Sequence, residues 1–248
     1  DIYQSDLLGF NVGFTNATLD SEVLDLGGVG DIIFNRGLQR HAEGFDAGGF
    51  HQGVVSFTDP NGDGLLRCDS EQCDVSVGET EFLGPSQPEH NRTVFADVRV
   101  FDWITISTLF EGRGGHLTAT DSEAFRCGFN STRGCRAVAD PTASLEDQAA
   151  FIADRFLGSA EGFVEDGTFW RWREFSVAFD MPSLVTNSLS QLDGLRLTLS
   201  GRNLKTFTNF SGIDPETVEG GGSANFSQSE FNTQPPVRQF MIRLDYRF

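Results

Sequence analysis

Apolar and polar side chains alternate along the end of the chain, at 237–248. In a β-strand this pattern sends one set to each side of the strand. The apolar side would carry Phe240, Ile242, Leu244, Tyr246 and Phe248, and the other side Met241, Arg243, Asp245 and Arg247. Such a charged side does not suit a β-sandwich core, whereas a wall between lipid and a water-filled lumen accommodates it. A transmembrane strand needs about 9–11 residues, so this segment is predicted to be one.

The same period of two predicts further strands and an all-β, antiparallel fold. Long strands are predicted at 7–19, 92–101, 104–112, 168–180 and 195–204, and shorter ones at 31–34 and 50–57. The two strands that meet at Asp102 and Trp103 form the clearest hairpin. A break in the alternation between Trp170 and Arg173 predicts a β-bulge. We expect the strand at 195–204 to pair with both 168–180 and 237–248.

The connections between these strands differ strongly in length. Short ones are predicted at 102–103 and 181–194, and long ones at 58–91, 113–167 and 205–235. Outer-membrane barrels show this asymmetry, with short periplasmic turns and long extracellular loops. The end of the chain would then lie on the periplasmic side. A soluble sandwich has no physical reason to place every long connection at one end.

One helix is predicted within the long connection at 113–167. Ser144 is a good N-cap, with Asp147 three residues on, and Gly158 can end the helix. Its apolar stripe, expected to pack inside the loop, contains Leu145, Ala149, Ile152 and Phe156.

Composition narrows the class of protein further. The chain has 248 residues with 24 Phe and 2 Tyr, so Phe would supply most of an aromatic belt. No run of about 18 apolar residues occurs, so no transmembrane helix is predicted. The formal charge of −18 argues against nucleic acid as a partner. The acidic residues are expected in loops, where they hold cations and water; a generally acidic soluble surface is the alternative.

Four cysteines form two closely spaced pairs, Cys68 with Cys73 and Cys127 with Cys135. Short spacing within polar, glycine-rich stretches predicts two local disulfides in an oxidising compartment. The spacings do not match a zinc site, and no histidine lies nearby in the sequence to complete one.

The segment at 59–64 matches the first half of a calcium-binding loop. Asp59, Asn61 and Asp63 place oxygens at positions one, three and five, and a glycine follows. Position twelve carries Ser70 in place of glutamate, with an acid on either side. Calcium is one interpretation, and a tight turn held by side-chain-to-backbone hydrogen bonds is the other. No other cofactor is required. The calcium ligands would be Asp59, Asn61, Asp63 and Asp69.

Several charged and aromatic side chains are candidates for contact with a substrate. Five of them are predicted to face the lumen: Arg196, Arg202, Arg243, Asp245 and Arg247. They could line a substrate path or contact a plug, or they could simply pair across strands. The three tryptophans could stack on sugars or belong to aromatic belts at the bilayer interface. They are Trp103, Trp170 and Trp172.

Catalytic motifs are absent from the sequence. It contains no G-x-S-x-G, no H-E-x-x-H and no phosphate-binding loop. His41 and His51, near Asp46, could bind a metal only with a third ligand that the pattern does not indicate. The chain is therefore predicted not to be an enzyme.

The segment at 201–216 is the most specific stretch of the sequence. Gly201-Arg202-Asn203-Leu204 closes a strand, and FTNFSGIDPE follows at 207–216. This run resembles the C-terminal end of SusC/RagA-type TonB-dependent outer-membrane transporters. Further matches occur in order along the chain, at 59–64, 82–85, 110–115 and 167–179, so the resemblance covers most of it.

The resemblance implies a large closed barrel with an N-terminal plug, and energised import of oligosaccharides or peptides. Residues 1–248 would be the C-terminal part of the transmembrane barrel, about seven or eight strands with long extracellular loops, in a Gram-negative outer membrane. The chain begins at Asp1 without Met and would be a mature or trimmed fragment, lacking the plug and the N-terminal strands.

The implied partners are the remaining barrel and plug, TonB, a SusD-like surface lipoprotein and membrane lipid. The alternative to this interpretation is a stand-alone small outer-membrane or secreted β-barrel with a structural or binding role.

Overall fold

Strands dominate the structure, a computed structural model that describes residues 3–5, 7–129, 135–181, 194–219 and 226–247. The strands are β1 (Tyr3–Gln4), β2 (Leu8–Thr18), β3 (Ile32–Phe34), β4 (Gln39–His41), β5 (Gly49–Phe57), β6 (Val75–Gly84), β7 (His90–Val100), β8 (Ile104–Gly114), β9 (Leu117–Ala119), β10 (Val164–Asp166), β11 (Phe169–Asp180), β12 (Gly194–Thr208) and β13 (Gln239–Arg247). The helices are α1 (Asp121–Phe129), α2 (Arg136–Ala139) and α3 (Leu145–Ile152).

The main sheet contains seven antiparallel strands in the order β1-β2-β7-β8-β11-β12-β13 among the described residues. The predicted hairpin is confirmed, because β7 and β8 pair from His90 opposite Gly114 to Val100 opposite Ile104. β12 pairs with both β11 and β13, as predicted. The all-β, antiparallel fold class is therefore confirmed.

One face of this sheet is apolar across six neighbouring strands. Directly paired residues lie on the same face, so the registers join their side chains into rows. One row contains Phe10, Val98, Ile106, Val177, Leu199 and Ile242, and the next contains Leu8, Val100, Ile104, Phe179, Leu197 and Leu244. The row between them lies on the opposite face and contains Gly9, Arg99, Thr105, Ala178, Thr198 and Arg243. The alternation seen in single strands thus extends through the whole sheet.

A β-bulge interrupts β11 at Arg173, where the sequence predicted one. The register shifts between Trp172 and Glu174 against both neighbouring strands. Arg171 and Arg173 are two residues apart and lie on one face, and both approach Glu111. The extra residue shifts Glu174 onto this face as well, because Glu174 pairs opposite Leu109.

The long connections all leave the main sheet at the same end. Thr18 at the end of β2 pairs with His90 at the start of β7, and His90 pairs with Gly114 at the end of β8. Phe169 at the start of β11 pairs with Thr208 at the end of β12. The predicted asymmetry is confirmed, and we call residues 19–89, 115–168 and 209–238 the loop layer. The predicted short connection at 181–194 lies mostly outside the described residues.

A second sheet lies within the loop layer and has the order β3-β4-β5-β6. The predicted strands at 31–34 and 50–57 are both present, and they pair in this sheet. The prediction of a polar loop throughout 58–91 is wrong, because β6 forms at Val75–Gly84. Five of the ten residues of β6 are exposed, and Val75 is its one buried apolar side chain, packed in the loop-layer core. Its apolar face is therefore too short to produce a clear alternation.

The loop layer has its own core, where α3 and the turn that follows it pack against β5 and β6. The core contains Leu66, Val75, Ala149, Ile152 and Ala153. Ser144 caps α3 as predicted, since its Oγ accepts from the Asp147 N–H at 3.1 Å. Phe156, predicted to share the apolar stripe, is 61% exposed. The chain is π-helical at Ala153–Leu157 before Gly158 ends it, and the wider turn rotates Phe156 out of the stripe.

Within the part of the chain that the structure describes, no helix has both the length and the apolar character needed to span a membrane.

Candidate functional site

The five charged residues predicted to face the lumen lie on the last two strands. Arg243 bonds to Asp245 through Nε and Nη2, at 2.9 and 2.8 Å from Oδ1. Arg196 lies opposite Asp245 and 3.5 Å from a carboxylate oxygen of Asp180. Arg202 donates from Nε to Glu174 at 3.0 Å, and Arg247 lies opposite Gly194. Pairing across and along strands thus accounts for three of these arginines, and a substrate path along them stays a prediction.

A more deeply buried ion network lies at the loop-layer end of the same face. Arg171 is 1% exposed. Its Nη2 donates to both carboxylate oxygens of Asp214 at 2.6 Å, and its Nη1 lies 2.8 Å from Glu216 Oε2. Arg173 donates to Glu216 and to Glu111. The network therefore ties the bulged strand β11 to the connection between β12 and β13.

The charges in this network fix the ionisation of Glu216. Burial would raise the pKa of Glu216, but its hydrogen bond to Arg173 and the charges of Arg171 and Arg113 outweigh that effect. The pKa therefore lies below its usual range, and the carboxylate is ionised at neutral pH. Removing one partner from a buried pair leaves a charge without compensation, which costs far more than the intact pair contributes. The network is thus a specific anchor for the connection.

The β12–β13 connection also joins the other two long connections. Ser229 pairs with Ala119 in a parallel bridge, and its hydroxyl donates to Asp121. The Gln39 Nε2 donates to the Phe226 carbonyl oxygen at 2.9 Å. The three connections therefore form one packed layer above the end of the main sheet.

The turn at 59–64 uses its carboxylates for hydrogen bonds to the backbone. The two Asp59 oxygens accept from the N–H groups of Gly62 and Gly64, each at 2.9 Å. Asp63 accepts from the Leu65 N–H at 3.0 Å and pairs with Arg67 at 2.6 Å. Asp69, the fourth suggested ligand, accepts from Glu71 and Gln72. This geometry is that of the tight-turn interpretation, and calcium binding stays a prediction.

Both cysteine pairs are bonded as predicted. Cys68 is joined to Cys73, and Cys127 to Cys135. The first closes a turn beside the 59–64 segment, and the second links the end of α1 to the start of α2. Both disulfides lie in the loop layer, away from the main sheet.

The histidines near Asp46 lie in separate aromatic groups. His41 lies 5.1 Å from both Phe34 and Phe226, measured between ring centroids, while His51 lies between Phe45 and Phe82. Among the described residues, no group of three or more His, Cys, Asp or Glu is arranged to hold a metal ion.

The three tryptophans lie at the two ends of the main sheet. Trp172 of β11 stacks on Phe110 of β8 with 5.6 Å between ring centroids, and Trp170 of β11 pairs with Phe207 of β12. Trp103 stacks on Phe101 in the short turn at the opposite end. Two separated groups do not form one sugar-stacking surface, and their placement agrees with the interface-belt interpretation.

Comparison with known proteins identifies the fold. No protein-family model matches the chain. A curated relative, TonB-dependent receptor P3 of Formosa agariphila, is 24% identical over 214 residues, which cover 82% of this chain and 21% of the relative. A structure of the RagAB peptide transporter matches with a TM-score of 0.70 and 14% identity, over 99% of this chain and 27% of that one. The predicted resemblance to SusC/RagA-type TonB-dependent transporters is confirmed.

Two further solved structures match the chain, and the lengths covered limit the conclusion to the fold of this segment. The RagAB peptide importer in its 'open-open' and 'closed-closed' states matches with TM-scores of 0.68 and 0.67, each at 14% identity. The chain spans about a fifth of the curated relative and just over a quarter of the matched RagAB chains. The similarity therefore establishes the fold of this segment. These relatives are named as a receptor and transporters, in agreement with the lack of a catalytic motif.

Proposed function

We propose that this chain supplies the last barrel strands and extracellular loops of a TonB-dependent transporter in the outer membrane. The transporter would import a large nutrient, an oligosaccharide or a peptide. The main sheet carries this proposal, because its apolar rows lie on one face, its charges on the other, and its long connections at one end. A bilayer requires an apolar band about 25 Å tall on the outside of a barrel, flanked by aromatic residues.

The aromatic residues of the apolar face support this orientation. Trp170, Trp172 and Phe207 lie near the loop-layer end, and Tyr246 lies near the other end, where Trp103 occupies the short turn. Lys205 stands 4.8 Å from the Phe207 ring centroid, a position from which its ammonium group can reach the aqueous interface. The loop layer would then be extracellular.

The edges of the main sheet indicate which further parts the transporter needs. β1 and β13 are its outermost strands among the described residues. An unpaired strand edge in hydrocarbon leaves backbone groups without partners, at several kcal/mol for each group. We therefore propose that strands of the remaining barrel close the sheet around a plug that binds TonB, and that a SusD-like lipoprotein covers the loop layer.

Accessibility on intact cells tests the orientation. One epitope is inserted at Gly62 in the loop layer, and a matched one at Asp102 in the short turn, both in the native full-length protein. Antibody should label the Gly62 insertion on intact cells, and the Asp102 insertion only after permeabilisation. Equal labelling of both on intact cells would contradict the orientation.

Uptake tests the transport activity. Import of a fluorescent oligosaccharide or peptide should depend on the protein and stop when a protonophore collapses the energising gradient. The small-barrel alternative makes a different prediction. Residues 1–248 refolded in detergent would then migrate as a compact, heat-modifiable monomer, whereas we expect no stable monomeric pore.

A further inference from the structure

A cavity of about 800 Å³ opens beside the four-stranded sheet of the loop layer. Three strands of that sheet line it, through Arg40 of β4, His51 of β5 and Phe82 of β6, and Phe45 and the glycine-rich segment at 26–31 complete the wall. A half-open pocket of this size, with aromatic walls and a few polar groups, is typical of small-molecule sites.

His51 brings an unpaired hydrogen-bond acceptor to this cavity. Its Nδ1 lies 3.1 Å from the Gly49 carbonyl oxygen, which can only accept, so Nδ1 carries the proton. Burial lowers the pKa of His51, and the ring is therefore neutral, with a lone pair on Nε2. That nitrogen is buried and has no hydrogen-bond partner within the described residues, and the whole residue is 5% exposed.

Arg40 brings the complementary donor. Its Nη1 donates to Asp31 Oδ2 at 3.0 Å, which neutralises the charge at that point. Its Nε is buried and, in the part of the chain that the structure describes, has no acceptor. A hydroxyl group both donates and accepts, so hydroxyl-bearing ligands can satisfy His51 and Arg40 together.

Two phenylalanine rings supply the apolar part of the site. The Phe45 and Phe82 centroids lie 5.2 and 5.1 Å from the His51 ring, and 5.1 Å from each other. Phe45 remains 42% exposed, so its ring is accessible from the cavity side. A saturated ring with C–H groups on its face and hydroxyls on its edge matches this combination of aromatic wall and polar atoms.

Three carboxylates also line the cavity, those of Asp31, Glu43 and Glu81. Asp31 is engaged by Arg40, and Glu43 accepts from the Leu26 N–H at 2.8 Å. Glu81 is exposed, and its oxygens can accept from a ligand hydroxyl. The buried wall atoms without partners among the described residues are one neutral acceptor, His51 Nε2, and one donor, Arg40 Nε.

We propose that this cavity binds a neutral sugar ring. His51 would accept from a sugar hydroxyl, Arg40 would donate to one, and Phe45 and Phe82 would contact the apolar face of the ring. The inference deepens the proposed function, on which its role in uptake rests, and it names an oligosaccharide as the cargo.

Direct binding tests the site without requiring transport. The native full-length protein, solubilised in detergent, is applied to an array of neutral oligosaccharides and to an array of tripeptides. Glycans that bind are then measured by isothermal titration calorimetry. His51→Asn preserves an amide donor toward the Gly49 carbonyl and removes the Nε2 acceptor, and Arg40→Lys removes the Nε donor. We expect each change to raise the Kd at least tenfold.

His41→Asn is the matched control, because His41 also lies between two aromatic rings, on the adjacent strand but outside the cavity wall. Its Kd should equal that of the wild type. The melting temperature of each variant shows whether the loop layer is intact, and if His51→Asn unfolds it, Arg40→Lys decides the question.

Failure of the site and failure of the transport proposal give different results. No glycan binding by the wild type, or an equal Kd in all variants, would overturn the site, and so would binding of tripeptides alone. Glycan binding without energised uptake would overturn the transport proposal and leave the site intact. Loss of both binding and uptake in His51→Asn would connect the two.

Discussion

Replacing Arg171 with methionine should release the β12–β13 connection from the main sheet. Methionine fills much of the same volume but removes all three bonds that Arg171 makes to Asp214 and Glu216. The side chains of Arg171 and Asp214 are 2% and 7% exposed, so water cannot replace the lost partner. Breaking a buried pair in this way costs about 3–5 kcal/mol.

This cost should appear first as local opening. The anchored segment at 209–219 lies in a connection, and connections open at lower free energy than the strands of a sheet. Limited proteolysis and amide hydrogen exchange of the native protein should therefore show faster cleavage and exchange at 209–219, with β11 and β12 unchanged. A factor of ten in exchange corresponds to about 1.4 kcal/mol, so an increase of at least a hundredfold is expected.

Arg202→Met is the matched control for this experiment. Arg202 lies on the adjacent strand and pairs with Glu174, but the two side chains are 51% and 35% exposed. An exposed pair of this kind contributes about 1 kcal/mol at most, so the control should change exchange little. Equal exchange at 209–219 in the wild type and Arg171→Met would refute the anchoring role of the network.

Three further changes test other parts of the structure. Leu244→Arg places a charge in an apolar row and should cost about 2–4 kcal/mol of barrel stability at mid-bilayer, whereas Arg243→Leu should be tolerated; equal assembly yields of the two would contradict the orientation of the faces. Burial lowers the pKa of His116 to about 4. In the unfolded protein His116 binds a proton below about pH 6.5, whereas in the folded protein it does so only near pH 4. The free energy of unfolding is therefore unaffected by His116 above pH 6.5 and falls by about 3 kcal/mol between pH 6.5 and pH 4. Thermal unfolding of His116→Gln should lack this component, and identical pH profiles would refute it. Reducing Cys68–Cys73 should remove about 2–3 kcal/mol from the loop layer and speed proteolysis near 59–74; free thiols in the unreduced, denatured protein would disprove the bond.

The strands of the main sheet could be predicted because one face of the sheet is apolar and the other is polar. Each residue of β13 faces either the apolar or the polar side, so the period of two appears in its sequence without knowledge of neighbours. The same alternation predicts the hairpin, because it repeats in both β7 and β8. It also predicts the bulge at Arg173, because the alternation breaks there.

The loop layer could be predicted only in part, because its order comes from contacts between distant segments. The α3 cap uses neighbours in the sequence, Ser144 and Asp147, and was found. β6 was missed because its packed apolar residues lie near its two ends, Val75 in the α3 core and Leu83 against a second core, while its middle is exposed. The anchor was also missed, although paired charges two residues apart, at Arg171 and Arg173 and at Asp214 and Glu216, were a usable signal.

The anchor also explains how extended connections can support a preformed binding cavity. A cavity keeps its shape only if its walls are held in place, and the sheet of β3 to β6 has no direct strand pairing to the main sheet among the described residues. Gln39 of that sheet instead bonds to Phe226, and the connection that contains Phe226 is held on β11 by Arg171. Loss of Arg171 should therefore weaken the sugar binding proposed at His51, although the two residues lie on different sheets. If Arg171→Met increases exchange at 209–219 and leaves glycan affinity unchanged, the disulfides and the α3 core alone suffice to hold the cavity.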